Sequence, residues 1–290
     1  MHVYLKRAAK YALPERLFTT FQSIRSRNYQ RRLLKEWGAS LATQEMVESY
    51  GLTVLYGPFQ GMKYPRKSIL LRNGIPILFG TYELELHPVI EEVATKRYDF
   101  IVDIGSAEVY YAVGLALRTK ASVYAFDCEP RERHFLKQMA RANCVRGLIR
   151  SGSWCDAIRL ARLVDSNRCL VISDCEGFEI DLFSELSVPA LRNSDLIIEL
   201  HENLSGINVQ ETLERRFKSS HLIQIVTFDP NNRGLSVPKR WEKFAREIRR
   251  PGQRWLYLTV DSLQGAPDRL PRVPPSNALP GRIAQSHSTY

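Results

Sequence analysis

Short apolar runs alternate with helix-like segments through the middle of the chain. From Tyr98 onward, runs rich in Val, Ile, Leu, Phe and Tyr recur, and the segments between them have the spacing of an amphipathic helix. This alternation predicts βαβ units and a mainly parallel sheet. The predicted strands are, in order, FIVD, VYAF, GLIRSG, CLVISD, SDLIIELHE, HLIQIVTF and RWLYLTV, of which GLIRSG is the weakest. No long helix is predicted between the last two strands, so we expect them to form an antiparallel edge.

The segments around this sheet divide the chain into three predicted regions. Residues 1–80 are a basic extension, with a helical first part and short strands or hairpins in the runs LTVLYG, ILLRNG and IPILFG. Residues 81–262 form the main domain, which begins with a helix near Pro88 and includes a helix over FEIDLFSEL. Residues 263–290 are rich in Pro, Ser and polar residues without periodicity, which predicts a disordered tail.

Composition and charge narrow the class of protein. The chain has 290 residues, of which 44% are hydrophobic, and no stretch has 18 uninterrupted apolar residues, so we expect a globular protein without a transmembrane segment or signal peptide. Five cysteines form no CxxC pair, which favours a reduced, cytoplasmic protein. The net charge of +10 is concentrated between Lys6 and Lys35 and between Lys239 and Arg254. The basic N-terminus either packs on the domain or makes peripheral contact with anionic lipid.

Acidic residues follow three of the predicted strands. Asp103 and Gly105 end the first strand, Asp127 ends the second, and Asp174 with Glu176 follows the fourth. Ligands of open α/β sheets bind at the carboxyl ends of the strands, so these acids are expected to form one site. No G-x-G-x-x-G follows the first strand, which makes an NAD-dependent dehydrogenase the least favoured enzyme class.

Four motifs occur in order over roughly residues 80–230: VDIGSAEVYYAVGLAL, VYAFDCEP, VISDCEGFEIDLF and IIELHE. Together they resemble class I S-adenosylmethionine-dependent methyltransferases, and within them the FkbM-like family. The resemblance implies a Rossmann-like fold with a seven-stranded, mostly parallel sheet and helices on both faces. It also implies methylation of a hydroxyl oxygen on a sugar, a glycan or another small substrate.

The same resemblance implies roles for individual residues. Asp174, Glu176 and His201 are the candidate catalytic residues, with Glu202 as an alternative base. The residues expected to bind the cofactor, S-adenosylmethionine, are Glu83, Asp103, Gly105, Ser106, Asp127, Ser153, Trp154 and Asp174, with Glu129 a less favoured ribose ligand. Asp174 with Glu199 or Glu202 would offer oxygen ligands to Mg²⁺, but no full ligand set is visible and no metal is assigned.

One departure and several alternatives remain open. Val109 stands where the family has glycine, as in G-x-x-x-G, and a β-branched side chain there narrows the turn. A non-catalytic relative that has lost the cofactor is therefore one alternative. Methylation of RNA or another anionic polymer is a second, because Trp241, Phe244 and Trp255 are interleaved with Arg residues. Asp103 and Asp127 could also serve only to cap helices.

Overall fold

Seven strands form one sheet, as the sequence predicts. The computed structural model describes residues 38–70, 74–106, 109–201, 207–229, 237–245 and 252–261. The strands are β1 Phe100–Ile104, β2 Val123–Phe126, β3 Ile149–Gly152, β4 Cys169–Ser173, β5 Asp195–Leu200, β6 His221–Thr227 and β7 Arg254–Val260. Their order is β3-β2-β1-β4-β5-β7-β6.

Only β7 runs against its neighbours. The pairs within β1–β5 are parallel, whereas β7 pairs antiparallel with both β5 and β6. The antiparallel pair of last strands is thus present, but β7 lies inside the sheet and β6 forms the edge. This arrangement is the Rossmann-like fold of class I methyltransferases, and the predicted fold class is confirmed.

The described helices connect and cover the strands. They are α1 Ala39–Tyr50, α2 Arg66–Ile69, α3 Gly74–Phe79, α4 His87–Thr95, α5 Tyr110–Thr119, α6 Pro130–Ala142, α7 Ala157–Val164, α8 Glu179–Leu182 and α9 Val209–Phe217. Short 3₁₀ turns cover Leu84–Leu86 and Val188–Leu191. Pro88 and Pro130 each lie in the first turn of their helix, where the missing N–H has no intrahelical acceptor to lose.

Helices cover both faces of the sheet because alternate strand residues point to opposite sides. Ile101 in β1 belongs to a core cluster with residues of α1, α3, α4, α5 and α6. Phe100 and Val102 belong to a second cluster with residues of α7, α8 and α9. β1 is buried along its whole length, as expected for a central strand between two helical layers.

Three local predictions differ from the structure. The run IPILFG is not a strand but part of helix α3, all of whose residues are buried, and LTVLYG contributes only an isolated bridge between Thr53 and Lys63. Periodicity cannot separate a strand from a helix in a short run that is apolar throughout. The predicted helix over FEIDLFSEL is reduced to the four residues of α8.

Some predictions fall outside the described residues. These are the helical pattern of residues 1–37, the tail over 263–290, and Glu202. Within the described ranges, no helix is long and apolar enough to span a bilayer.

Candidate functional site

The acidic residues meet at the carboxyl edge of the parallel strands. Asp103 is the second-last residue of β1, and Asp127 and Asp174 directly follow β2 and β4. His201 directly follows β5. Parallel pairing aligns these strand ends, so residues far apart in sequence are brought to one edge of the sheet.

Gly105 brings the β1 and β4 ends into contact. Its φ is +84°, and a Cβ atom built on it would lie 1.8 Å from the carbonyl oxygen of Asp174. The Asp174 N–H in turn donates to the Ile104 carbonyl at 2.9 Å. Only glycine fits this turn, because both the backbone conformation and the close approach exclude a side chain.

A cleft lies at this edge, on the side of α5. Of the predicted site residues, it is lined by Glu83, Asp103, Gly105, Ser106 and Asp174. The other lining residues are not among the predicted cofactor ligands. They are Tyr82, Val109, Tyr110, Tyr111, Ile172 and Trp255. The cleft is therefore lined by three carboxyl groups and four aromatic rings.

Asp103 is one of the buried acids of the cleft. Its side chain is 4% exposed, and its Oδ2 atom has no hydrogen-bond partner among the described residues. Burial, together with the charges of Asp127 and Asp174, raises the pKa of Asp103 to about 8, although a hydrogen bond from the Ala112 backbone opposes the rise. The hydrogen bond from Ala112 agrees with the helix-capping alternative, but the Oδ2 atom of Asp103 is still available to a ligand.

Glu83 lines the cleft and has an unusual backbone conformation. It has φ +49° directly before the 3₁₀ turn Leu84–Leu86, and its side chain is buried. The Tyr111 hydroxyl donates to Glu83 Oε2. Burial, with the charge of Glu83, raises the pKa of Tyr111 well above its usual range, which keeps the phenol protonated as the donor.

Val109 adopts a backbone conformation that favours glycine. It precedes α5 with φ +53° and ψ 13°, its side chain is 1% exposed, and its N–H donates to the Ser106 carbonyl at 2.7 Å. A left-handed conformation is a genuine outlier for a β-branched residue. The departure seen in the sequence is therefore also a departure in backbone geometry.

Asp127, Ser153 and Trp154 lie at the same sheet edge but do not line this cleft. Asp127 Oδ1 accepts the Glu129 N–H at 2.8 Å, so one of its oxygens holds the loop after β2. Ser153 is exposed, and Trp154 packs on Phe178 with ring centroids 5.2 Å apart. Their predicted contacts with ribose and adenine stay predictions.

His201 lies among carboxylates. Its Nδ1 is 2.7 Å from Glu179 Oε1, and its Nε2 is 3.6 Å from Asp174 Oδ1, 3.9 Å from Glu199 Oε2 and 4.0 Å from Glu176 Oε2. We call Asp174, Glu176 and His201, with Glu179 and Glu199 behind them, the acid–histidine cluster. All three predicted catalytic residues belong to it.

Burial and charge act in opposite directions in this cluster. Burial lowers the pKa of His201, but the carboxylates of Glu179 and Glu199 outweigh it and raise that pKa well above the usual range. Burial, with the charge of Glu176, raises the pKa of Asp174 to about 7, although His201 opposes the rise. The cluster can therefore accept a proton near neutral pH.

The tryptophans of the second basic segment belong to the core. Trp241 and Trp255 are 2% and 1% exposed, and Trp255 pairs with Glu199 across β7 and β5. In this structure these two tryptophans are too buried to stack on nucleic-acid bases, whereas Phe244, the third aromatic residue of the RNA alternative, is half-buried. The aromatic run Tyr110–Tyr111 was visible in the sequence, whereas Tyr82 and Trp255 reach the cleft only through tertiary folding.

No protein-family model matches the sequence, and no curated protein matches it either. Among solved structures, the chain is similar to precorrin-6y C5,15-methyltransferase from Geobacter metallireducens, with 11% identity and a TM-score of 0.40 over 61% of this chain and 90% of that one. The human methyltransferase 10 domain containing protein shows 14% identity and a TM-score of 0.42, over 77% and 96% of the two chains. The METTL16 MTase domain shows 13% identity and a TM-score of 0.43, over 75% and 77%.

Identities and TM-scores this low do not indicate an activity. The strand order and the single antiparallel strand define the class: the chain has the class I methyltransferase fold. The narrower FkbM-like assignment stays a prediction.

Proposed function

We propose that this chain is an S-adenosylmethionine-dependent methyltransferase that acts on a hydroxyl oxygen of a sugar or another small hydroxylated substrate. The observation that carries the proposal is the acidic cleft at the carboxyl edge of β1 and β4. It is lined by a buried Asp103 oxygen that has no hydrogen-bond partner in the described part of the chain, beside the close turn at Gly105.

The charge of the cleft fits the cofactor. S-adenosylmethionine carries a positive sulfonium and an ammonium group, and the cleft is lined by the carboxyl groups of Glu83, Asp103 and Asp174. A cation entering the cleft would favour the ionised form of Asp103, whose pKa is raised to about 8 without a ligand. Asp103 and Glu83 would hold the ammonium group, and Asp127 would hold the ribose hydroxyls.

The acid–histidine cluster lies where the acceptor would approach. S-adenosylmethionine would supply a methyl group whose bond to sulfur breaks as the bond to the acceptor oxygen forms. Asp174 would take the proton that leaves the acceptor hydroxyl, because its pKa of about 7 suits a base at neutral pH. Most of the rate enhancement would come from aligning the acceptor oxygen with the methyl group.

Calorimetric titration of the full chain with S-adenosylmethionine tests the proposal. The proposal expects binding by the wild type, weakened about tenfold or more in Asp103→Asn and Asp127→Asn, because each removes a charged hydrogen-bond acceptor. Asp127→Asn keeps an oxygen for the Glu129 N–H, so the loop is preserved. Asp165→Asn is the matched control, since Asp165 is exposed after α7.

Methyl transfer is then measured with a panel of hydroxylated acceptors. Undiminished transfer in Asp174→Ala would remove Asp174 from its role as the base. Failure of the wild type to bind S-adenosylmethionine would overturn the proposal in favour of the non-catalytic alternative, to which the strained Val109 turn points.

A further inference from the structure

The geometry points to a divalent-cation site in the acid–histidine cluster, with Asp174, Glu176 and His201 as ligands. We infer a first-row ion such as Mn²⁺ rather than Ca²⁺, because an imidazole is combined with two carboxylates. One ligand atom of each residue lies within 4.8 Å of the other two.

The distances leave room for an ion between the ligand atoms. His201 Nε2 is 3.6 Å from Asp174 Oδ1 and 4.0 Å from Glu176 Oε2, separations too long for hydrogen bonds. An ion about 2.1 Å from each atom spans up to about 4.2 Å, which covers both separations. The ligand side chains are between 23% and 38% exposed, so water or a substrate oxygen can complete the coordination.

Glu179 holds the histidine in the orientation that a metal ligand needs. His201 Nδ1–H donates to Glu179 Oε1, which leaves Nε2 directed toward Asp174 and Glu176. Metal-binding histidines commonly donate their other ring N–H to a carboxylate in this way, which fixes the tautomer.

A buried carboxylate oxygen beside His201 gives separate support for a cation at this cluster. The Glu179 side chain is completely buried and its carboxylate is directed at His201, yet its Oε2 atom has no hydrogen-bond partner among the described residues. The imidazole of His201 lies within 4.0 Å of carboxylate oxygens of Asp174, Glu176 and Glu179. A divalent cation between Asp174, Glu176 and His201 would offset negative charge at this point.

The position of the site suggests what the ion would do. Asp174 also lines the cleft, so the ion would lie at the acceptor end of the proposed methyltransferase site. There it would bind the acceptor hydroxyl and lower the pKa of that hydroxyl, and Glu199, outside the ligand set, would take the proton in place of Asp174. This role rests on the proposed function, whereas binding of the ion does not.

The test is titration of the metal-free full chain with Mn²⁺, followed by electron paramagnetic resonance of free Mn²⁺ and by calorimetry. We expect one ion per chain, with affinity lowered more than tenfold by Glu176→Gln, Asp174→Asn or His201→Gln. Glu179→Gln should weaken binding about 10- to 100-fold, because it loosens the orientation of His201. Glu45→Gln on α1 removes one exposed carboxylate far along the chain and should leave the affinity unchanged.

Two results would overturn the site: no binding of Mn²⁺, Zn²⁺ or Mg²⁺ by the wild type, or unchanged binding in all three ligand variants. Circular dichroism checks that each variant folds, and Glu176→Gln is the least disruptive because its side chain is partly exposed. A chain that binds S-adenosylmethionine but no metal removes the cation site and leaves the proposed function standing. A chain that binds Mn²⁺ but no S-adenosylmethionine does the reverse.

Discussion

The left-handed backbone of Val109 should reverse the usual order of alanine and glycine. Val109→Ala removes two methyl groups from a side chain that is 1% exposed, which should lower the free energy of unfolding by about 2–3 kcal/mol. Where both residues fit the backbone, glycine is up to about 1 kcal/mol less stable than alanine, because it has more backbone entropy in the unfolded chain. At φ +53°, however, any Cβ carries a penalty of about 1–2 kcal/mol that glycine avoids. Val109→Gly should therefore be as stable as Val109→Ala or up to about 1 kcal/mol more stable.

Val113 provides the matched control for this comparison. It is a fully buried valine inside α5, the helix that Val109 precedes, and it does not have a positive φ. Urea unfolding followed by circular dichroism should place Val113→Ala about 1 kcal/mol above Val113→Gly. The reasoning fails if alanine exceeds glycine by the same amount at both positions. If the valine side chain also narrows the cofactor turn, Val109→Gly should bind S-adenosylmethionine more tightly than the wild type in calorimetry.

Three further predictions concern stability. Gly105→Ala should lower the free energy of unfolding in urea by about 2 kcal/mol or more, because its Cβ would meet the Asp174 carbonyl. The control Gly147→Ala, whose Cβ would have nothing within 4 Å, should change the free energy of unfolding by less than about 0.5 kcal/mol. Similar losses in the two variants would contradict this prediction. The pKa of Asp103 is raised in the folded chain, so the free energy of unfolding falls as pH rises from about 4 to about 8. Asp103→Asn should therefore be more stable than the wild type by on the order of 1 kcal/mol near pH 8, and little different from it near pH 4. A difference that does not depend on pH would contradict this prediction. Burial lowers the pKa of His221, so the unfolded chain binds the proton first and the free energy of unfolding falls as pH drops through about 6.5. In His221→Gln the free energy of unfolding should fall less steeply over this pH range. An unchanged slope would show that His221 does not contribute to the pH dependence.

The part of the site that follows from strand order could be predicted from the sequence. A buried apolar run followed by an acid identifies both a strand and its carboxyl end. The sequence therefore predicts that Asp103, Asp127 and Asp174 lie at one edge of the sheet, as they do in the structure. The unusual position of Val109 was also visible, because the motif around it has glycine where valine stands.

Residues that reach the site by tertiary packing could not be predicted. Trp255 enters the cleft because β7 inserts antiparallel beside β5, and no local pattern specifies that insertion. Glu179 lies in a short segment whose helical pattern suggested a longer helix with an ordinary acid near its start, yet the side chain is completely buried against His201. The helix at Gly74–Phe79 was missed because every residue in it is buried, which removes the amphipathic signal.

Three non-glycine residues with left-handed backbones, Glu83, Val109 and Glu176, flank the cleft and the cluster. Such conformations are unfavourable by about 1–3 kcal/mol and persist where surrounding structure requires them, often at functional sites. Glu83 accepts from Tyr111, and Glu176 contributes a carboxylate near His201, so each has a polar group to deliver. Val109 delivers only an apolar side chain to the core. The strained backbone of Val109 therefore has no role in the proposed chemistry. Val109→Gly is the substitution that best separates the requirements of the fold at this turn from the requirements of the ligand.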